Sequence, residues 1–204
     1  MGRGLSLSFM TTLRGANVLL RPVRPSDAPR QREFFQDAEL AELDSSSLEA
    51  YAKMDVEEFF ERPSASGGET VLFAIDVRGE YVGYASLMNL KNPNRVFELG
   101  IVIGDRCHWG RGYGKEVVKL LLEYGFSELD GREIELTTHQ GNERALACFS
   151  ACGFSEQRRI YGATLFDGRY VDMIEMSIAR RKWKSKGPHF QGKRPPTKMR
   201  KQQR

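Results

Sequence analysis

The stretch Val96–Phe126, VFELGIVIGDRCHWGRGYGKEVVKLLLEYGF, decides how the rest of the chain reads. Its first eight residues are mostly aliphatic and β-branched, which suits a pleated, largely buried strand. The run then enters a loop carrying Gly110, Gly112 and Gly114 and passes, from about Lys115, into an apolar helix. A strand that turns through glycines into a helix N-terminus makes a site for anions. Glycines let unpaired backbone N–H groups approach a phosphate, and the helix end adds about half a positive charge. The spacing is neither the Gly-Lys-Ser/Thr of a P-loop nor a full G-x-G-x-x-G dinucleotide fingerprint.

Upstream, Thr70–Val77 (TVLFAIDV) and Tyr81–Leu87 (YVGYASL) flank the turn Arg78-Gly79-Glu80 and predict a hairpin. Val18–Val23 predicts a first strand, Pro25-Ser26-Asp27 starts a helix through Pro29–Leu43, and Leu48–Glu61 predicts a second helical stretch. Downstream, Ile134–Thr138 predicts a strand. Asn142 then caps a helix that carries Ala145, Leu146, Phe149 and Cys152 on one stripe and stops at Gly153. This order of elements implies an α/β (mixed α+β) fold, and no internal repeat is visible.

The strand followed by W-G-R-G-Y-G-K-E (Trp109–Glu116), with the later strand Ile134–Thr138 and N-E-R-A-L-A-C-F-S-A-C-G-F (Asn142–Phe154), resembles the GNAT superfamily of N-acetyltransferases. Leu19-Leu20-Arg21-Pro22 with Asp27, and Asp167-Gly168-Arg169-Tyr170-Val171-Asp172, resemble its RimJ/RimL-type branch. The likeness spans about Ala16–Arg180. It divides the chain into an N-terminal extension 1–15, an acetyltransferase domain 16–180 and a tail 181–204. It implies a central mixed, mostly antiparallel sheet flanked by helices, with a splayed strand pair that binds acyl-CoA. It also implies acetyl-CoA as cosubstrate, no metal, and a primary-amine acceptor: a protein N-terminus, a polyamine or another small cationic amine.

The resemblance implies site residues too. The family's pyrophosphate loop, Gln/Arg-x-x-Gly-x-Gly/Ala, falls on Trp109-Gly110-Arg111-Gly112-Tyr113-Gly114, with Lys115 next. Trp109 departs at the first position, but backbone amides carry most of such a site. Ile101, Val102 and Ile103 are expected beside the cofactor, and Asn142 is expected to hydrogen-bond its pantetheine arm. Many relatives carry a tyrosine seven residues after that Asn, where it protonates the leaving thiolate. Here Phe149 stands in that place and has no proton to give.

Strand alternation puts Glu98, Gly100 and Val102 on one face and Phe97, Leu99, Ile101 and Ile103 on the other. A carboxylate in an otherwise apolar strand is costly to bury, which makes Glu98 a candidate general base. A structural ion pair with Arg95 or Arg106 is the alternative. Gly100 is expected to let pantetheine approach the backbone. A base is needed because a lysine-like amine, with a pKa near 10.4, attacks only when neutral. Asn142 is read as catalytic as well as cofactor-binding. The acceptor pocket is expected around Gln36–Arg62 and Tyr161–Asp172. His139 reads as polar surface or a proton relay, and Cys148 and Cys152 read as packing.

Composition sets outer limits. The 204 residues fit one domain with short tails, and no stretch approaches the roughly 18 uncharged apolar residues of a membrane span. Three cysteines without C-x-x-C give no disulfide framework or zinc spacing, so a reducing, cytoplasmic setting is expected. From Arg180 to Arg204 lie eleven Lys/Arg and no acid, so a chain of net charge +4 has a body, residues 1–179, at −7. That body favours a cationic acceptor by steering. The tail is read as a solubilising extension or as an arm touching RNA or the ribosome, and a homodimer is a further expectation.

Overall fold

The computed structural model describes residues 11–65 and 67–183, with the side chains of residues 62–65 left aside. Among them, eight strands form one sheet: β1 (Leu13–Arg14), β2 (Leu19–Arg21), β3 (Val71–Val77), β4 (Glu80–Met88), β5 (Val96–Ile103), β6 (Glu133–His139), β7 (Ser155–Phe166) and β8 (Arg169–Ala179). Their order is β1-β2-β3-β4-β5-β6-β8-β7. All neighbours run antiparallel except β5 and β6. The sheet begins at Leu13, inside the stretch read from sequence as an extension. Most of the basic tail, residues 184–204, lies outside the described residues.

The helices are α1 (Ala28–Phe35), α2 (Ala38–Leu43), α3 (Leu48–Ala52), α4 (Val56–Ala65), α5 (Tyr113–Glu123) and α6 (Glu143–Ala151). Each of the two helices predicted over residues 29–61 is therefore broken in two. The breaks fall at aspartates that compete for backbone N–H groups. The Asp37 carboxylate accepts from Leu40 N at 3.1 Å and caps α2, and Asp55 accepts from Glu58 N at 2.7 Å.

The alternation read in β5 holds and separates two cores. Phe97 and Leu99 are buried with Val117, Val118, Leu121 and Leu122 of α5, and Ile101 and Ile103 pack on the same cluster. Val102 faces the other layer, where Phe34, Phe35, Tyr51, Phe59 and Tyr84 bury α1, α3 and α4 against β3–β5. The sheet is thus covered on both sides around β4 and β5, which fixes the strand that carries the site.

Two polar anchors hold this frame. Arg21 is buried and forks onto Asp27 (2.8 and 2.9 Å) while its Nε reaches Asp76 (2.9 Å), tying β2 to β3 and to the start of α1. The two carboxylates raise the Arg21 pKa further above its ordinary value, with the Asp27 hydrogen bonds as the largest cause. Glu116, in the first turn of α5, accepts from the backbone N–H groups of Asn17 (2.8 Å) and Val18 (3.2 Å). That contact fixes the β1–β2 turn to the base of the glycine loop.

Candidate active site

β5 and β6 pair at Val96↔Glu133, Phe97↔Ile134 and Glu98↔Glu135, and then part. β5 stays with β4 as far as Ile103, and β6 stays with β8 as far as His139. The gap is the expected splay. The glycine loop, the first turns of α5 and α6 and the end of α2 close around it, leaving a cavity of about 440 Å³.

The anion end comes from the loop. Gly110 (φ 71°) and Gly112 (φ 83°) sit in the left-handed region, and nothing lies within 4 Å of where a Cβ would stand on either. Gly112 is also the N-cap of α5, so the first N–H groups of that helix, at Tyr113, Gly114 and Lys115, have no intrahelical acceptor. At Gly114 a Cβ would make only ordinary contacts, 3.5 Å from Cys148 Sγ and 3.7 Å from Ile103. Tyr113, Gly114 and Lys115 all line the cavity, whereas Arg111 is exposed and lies off its wall. Open backbone donors, a helix N-terminus and a lysine fit a phosphate-bearing ligand such as CoA.

Trp109 holds the loop in place. Its Nε1 donates to the Ile103 carbonyl at 2.6 Å, and the Arg144 guanidinium from α6 lies 3.7 Å from the ring centroid. Arg106 approaches the same ring at 5.7 Å. Arg144 lines the cavity, and sequence reading missed it because a charge in the first turn of a helix ordinarily marks a solvated face.

Ile101, Val102 and Ile103 form the β5 wall, and Asn142 and Phe149 the α6 wall. The Asn142 side chain is doubly committed. Its Oδ1 accepts from Ala145 N (3.1 Å) as the helix cap, and its Nδ2 donates to the Leu43 carbonyl (3.3 Å). Asn142 therefore clamps the end of α2 against α6. Phe149 is buried, with its ring centroid 5.9 Å from that of Phe154. His139 is fully buried rather than on the surface, 4.7 Å from the Phe166 ring and facing the carbonyls of Leu43 and Glu42. Burial lowers its pKa, so the ring is held neutral.

Glu98 stands at the closed end of the splay, in the last pair before β5 and β6 separate, and is not on the cavity wall. Asn89 Nδ2 donates to it at 3.3 Å. The alternative ion pairs are not made, because Arg95 pairs with Asp130 while Arg106 pairs with Asp37 and Glu39. Glu133 and Glu135 share its sheet face. Burial, then the Glu98 charge, push the Glu135 carboxyl up. Gly100 is not on the cavity wall. The space a Cβ would take lies 2.7 Å from Ser86 Oγ, so the glycine accommodates the neighbouring strand.

The acceptor segments divide. Leu40, Leu43 and Asp44, within the expected Gln36–Arg62, reach the cavity wall. Tyr161 and Tyr170 are 81% and 79% exposed and do not. Cys148 and Cys152 are free thiols packed against α5, as read from sequence. Among the described residues, no His, Cys, Asp and Glu cluster could hold a metal, and no helix is long and apolar enough to cross a membrane.

A mixed sheet parted beside a glycine loop, with that loop opening a helix onto the gap, defines an acyl-CoA-dependent N-acetyltransferase. The chain belongs to the acetyltransferase (GNAT) domain family, whose family model matches residues 17–155. It is 26% identical over 136 residues to the spermidine N(1)-acetyltransferase of Vibrio cholerae, spanning 66% of this chain and 78% of that one. It is 27% identical over 106 residues to the Escherichia coli spermidine N(1)-acetyltransferase, spanning 52% and 56%. Among solved structures, the Vibrio cholerae spermidine N-acetyltransferase in complex with CoA and spermine superposes with a TM-score of 0.72. The two share 20% identity, over 82% of this chain and 98% of that one. RimJ from Mycobacterium smegmatis in complex with CoA-disulfide superposes with a TM-score of 0.66 at 23% identity, over 83% and 86%. Acetyl-CoA is the cosubstrate.

Proposed function

We propose that the chain acetylates a polyamine or a similar small cationic amine, by direct attack of the amine on acetyl-CoA in a ternary complex. One observation carries this reading: the cavity has phosphate-binding backbone at the glycine loop, and beyond its wall, at the closed end of the splay, β5 and β6 carry a sheet face bearing Glu98, Glu133 and Glu135. An anion is thereby served at one end of the β5–β6 gap, and acidic groups that attract a cation stand at the other. The spermidine acetyltransferases among the relatives support the same acceptor class.

In the reaction the neutral amine nitrogen forms a bond to the thioester carbon, the C–S bond breaks, and the nitrogen loses a proton. Glu98 takes that proton through water, as the carboxylate at the apex of the gap. A β5 backbone N–H stabilises the oxyanion as it develops. Phe149 has no proton to give, so the sulfur leaves as thiolate and is protonated by solvent. A thiol of ordinary pKa, near 8.5, leaves acceptably in that form.

The test is calorimetric titration with acetyl-CoA, followed by thiol release over spermidine, an aminoglycoside and basic N-terminal peptides. Micromolar cosubstrate binding with fastest release on spermidine is expected. Release confined to peptides would move the acceptor to protein N-termini, and absence of acetyl-CoA binding would sink the catalytic reading.

A further inference from the structure

We propose that Asp44 is the cation anchor of the acceptor site: its carboxylate pairs with a non-reacting ammonium and so selects acceptors that carry at least two amines. The inference deepens the amine acetyltransferase reading above and rests on it.

Asp44 follows directly on α2 and lines the cavity with Leu40 and Leu43, in a wall shared with Ile101 and Val102 of β5. Its position is fixed from several sides. Its own N–H donates to the Leu40 carbonyl (3.0 Å), and the carbonyl of the preceding Leu43 is the one clamped by Asn142. The next residue, Ser45, is held at φ 58°, in the left-handed region that a serine seldom adopts. Backbone bonds from Ser45 N to Glu42 O (3.0 Å) and from Ser46 N to Ala41 O (2.8 Å) lock that turn. Strained backbone that is over-determined in this way clusters at binding sites.

What distinguishes Asp44 is that it lines the cavity with no ion-pair partner among the described residues. Asp37 and Glu39 of the same segment bind Arg106, and Glu39 also faces Arg144 at 3.8 Å, while Glu42, like Asp44 without an ion pair among the described residues, lies off the cavity wall. Among the described residues no lysine or arginine pairs with Asp44. The side chain is open to solvent at the mouth, yet protein surrounds it on the other sides. Desolvation by those neighbouring atoms pushes its carboxyl up to about 6, although the residue as a whole stays exposed. A carboxylate so placed is relieved by a cation that enters the cavity. The hydroxyls of Tyr51 and Tyr84 lie behind it, and burial together with the Asp44 charge raises both, so they stay neutral.

The paired ammonium is not the attacking one. An ion pair holds a nitrogen protonated, and a protonated nitrogen has no lone pair to offer the thioester. A second amine, spaced by methylenes that rest on Leu40 and Leu43, satisfies Asp44 and leaves the first free to react. A monoamine lacks that second group.

The test uses the full chain and initial rates of thiol release with spermidine and with butylamine, for the wild type, Asp44→Asn and Asp44→Glu. Calorimetric affinity for acetyl-CoA serves as the check on folding. The wild type is expected to favour spermidine in kcat/KM. Asp44→Asn is expected to cut that preference at least about tenfold, chiefly through the KM of spermidine, and Asp44→Glu to restore most of it. An undiminished preference in Asp44→Asn with acetyl-CoA affinity intact overturns the anchor alone. Equal loss on both amines overturns it as well, because a common positioning role would then explain the effect. No turnover by the wild type with either amine overturns the proposed function itself.

Discussion

The Arg144 guanidinium lies 3.7 Å from the centroid of the Trp109 indole, and that indole donates to the end of β5 through Ile103. One stack thus joins the glycine loop, α6 and the cavity floor. The position where the family's loop usually starts with Gln or Arg holds a tryptophan here, and the cation beside it is delivered from another helix. Arg144→Ala is expected to weaken CoA binding about tenfold while leaving pantetheine, which lacks the pyrophosphate, within about twofold. Calorimetry with both ligands separates a phosphate contact from general loosening, in which both would weaken alike.

Glu98→Gln tests the proton acceptor. A positioned base contributes about 10²-fold or more, so kcat should fall by that order with the KM for acetyl-CoA little changed. A fall below about threefold would assign the proton to solvent and leave Glu98 as part of the sheet's acidic face.

Phe149→Tyr restores a hydroxyl near the expected leaving group. Because a thiol of ordinary pKa departs unaided, the expected gain in kcat is under about tenfold. A gain of about 100-fold would show instead that thiolate protonation limits the wild type.

Arg21→Met leaves two buried carboxylates without their cation. Removing one partner from such a network costs about 3–5 kcal/mol, so the urea midpoint should drop sharply. Because none of the three residues lines the cavity, acetyl-CoA affinity of the remaining folded protein is expected to hold.

Asp44 also leaves a mark on stability against pH. Its carboxyl titrates near 6 in the folded chain and near 3.9 when unfolded, so the folded state binds the extra proton between those values. Its contribution to stability is therefore present at low pH and is lost as pH rises through 6. Asp44→Asn should melt higher than the wild type at pH 8, and the difference should shrink by pH 5. The comparison removes the common background of His139, whose lowered pKa acts in the opposite sense.

The sequence made one region legible and left another dark, for physical reasons. β5, the glycine loop and α5 were readable because a buried strand, left-handed glycines and an apolar stripe each leave a local signature in residue type. The cavity walls at Ile101–Ile103, Trp109, Gly110, Gly112–Lys115, Asn142 and Phe149 followed from that reading together with the family likeness. The breaks at Asp37 and Asp55 escaped because two short helices and one long one share the same apolar spacing. Arg144 and Asp44 escaped because their value lies in the packed chain and not in their sequence neighbours: Arg144 stacks on the Trp109 ring, and Asp44 lines the cavity with no ion-pair partner among the described residues. His139 was misread for a related reason, since burial by the end of α2 and by Phe166 leaves no trace in its own neighbours in sequence.

The three-register contact between β5 and β6 makes the sheet two leaves sharing a short spine. Past that spine the facing edges carry peptide groups that no strand completes. A bound thread rich in amides would serve as the missing stitch, so that binding and fold integrity draw on one free energy. The leaves should therefore tighten together when the cosubstrate enters, with a melting temperature that climbs logarithmically with its concentration.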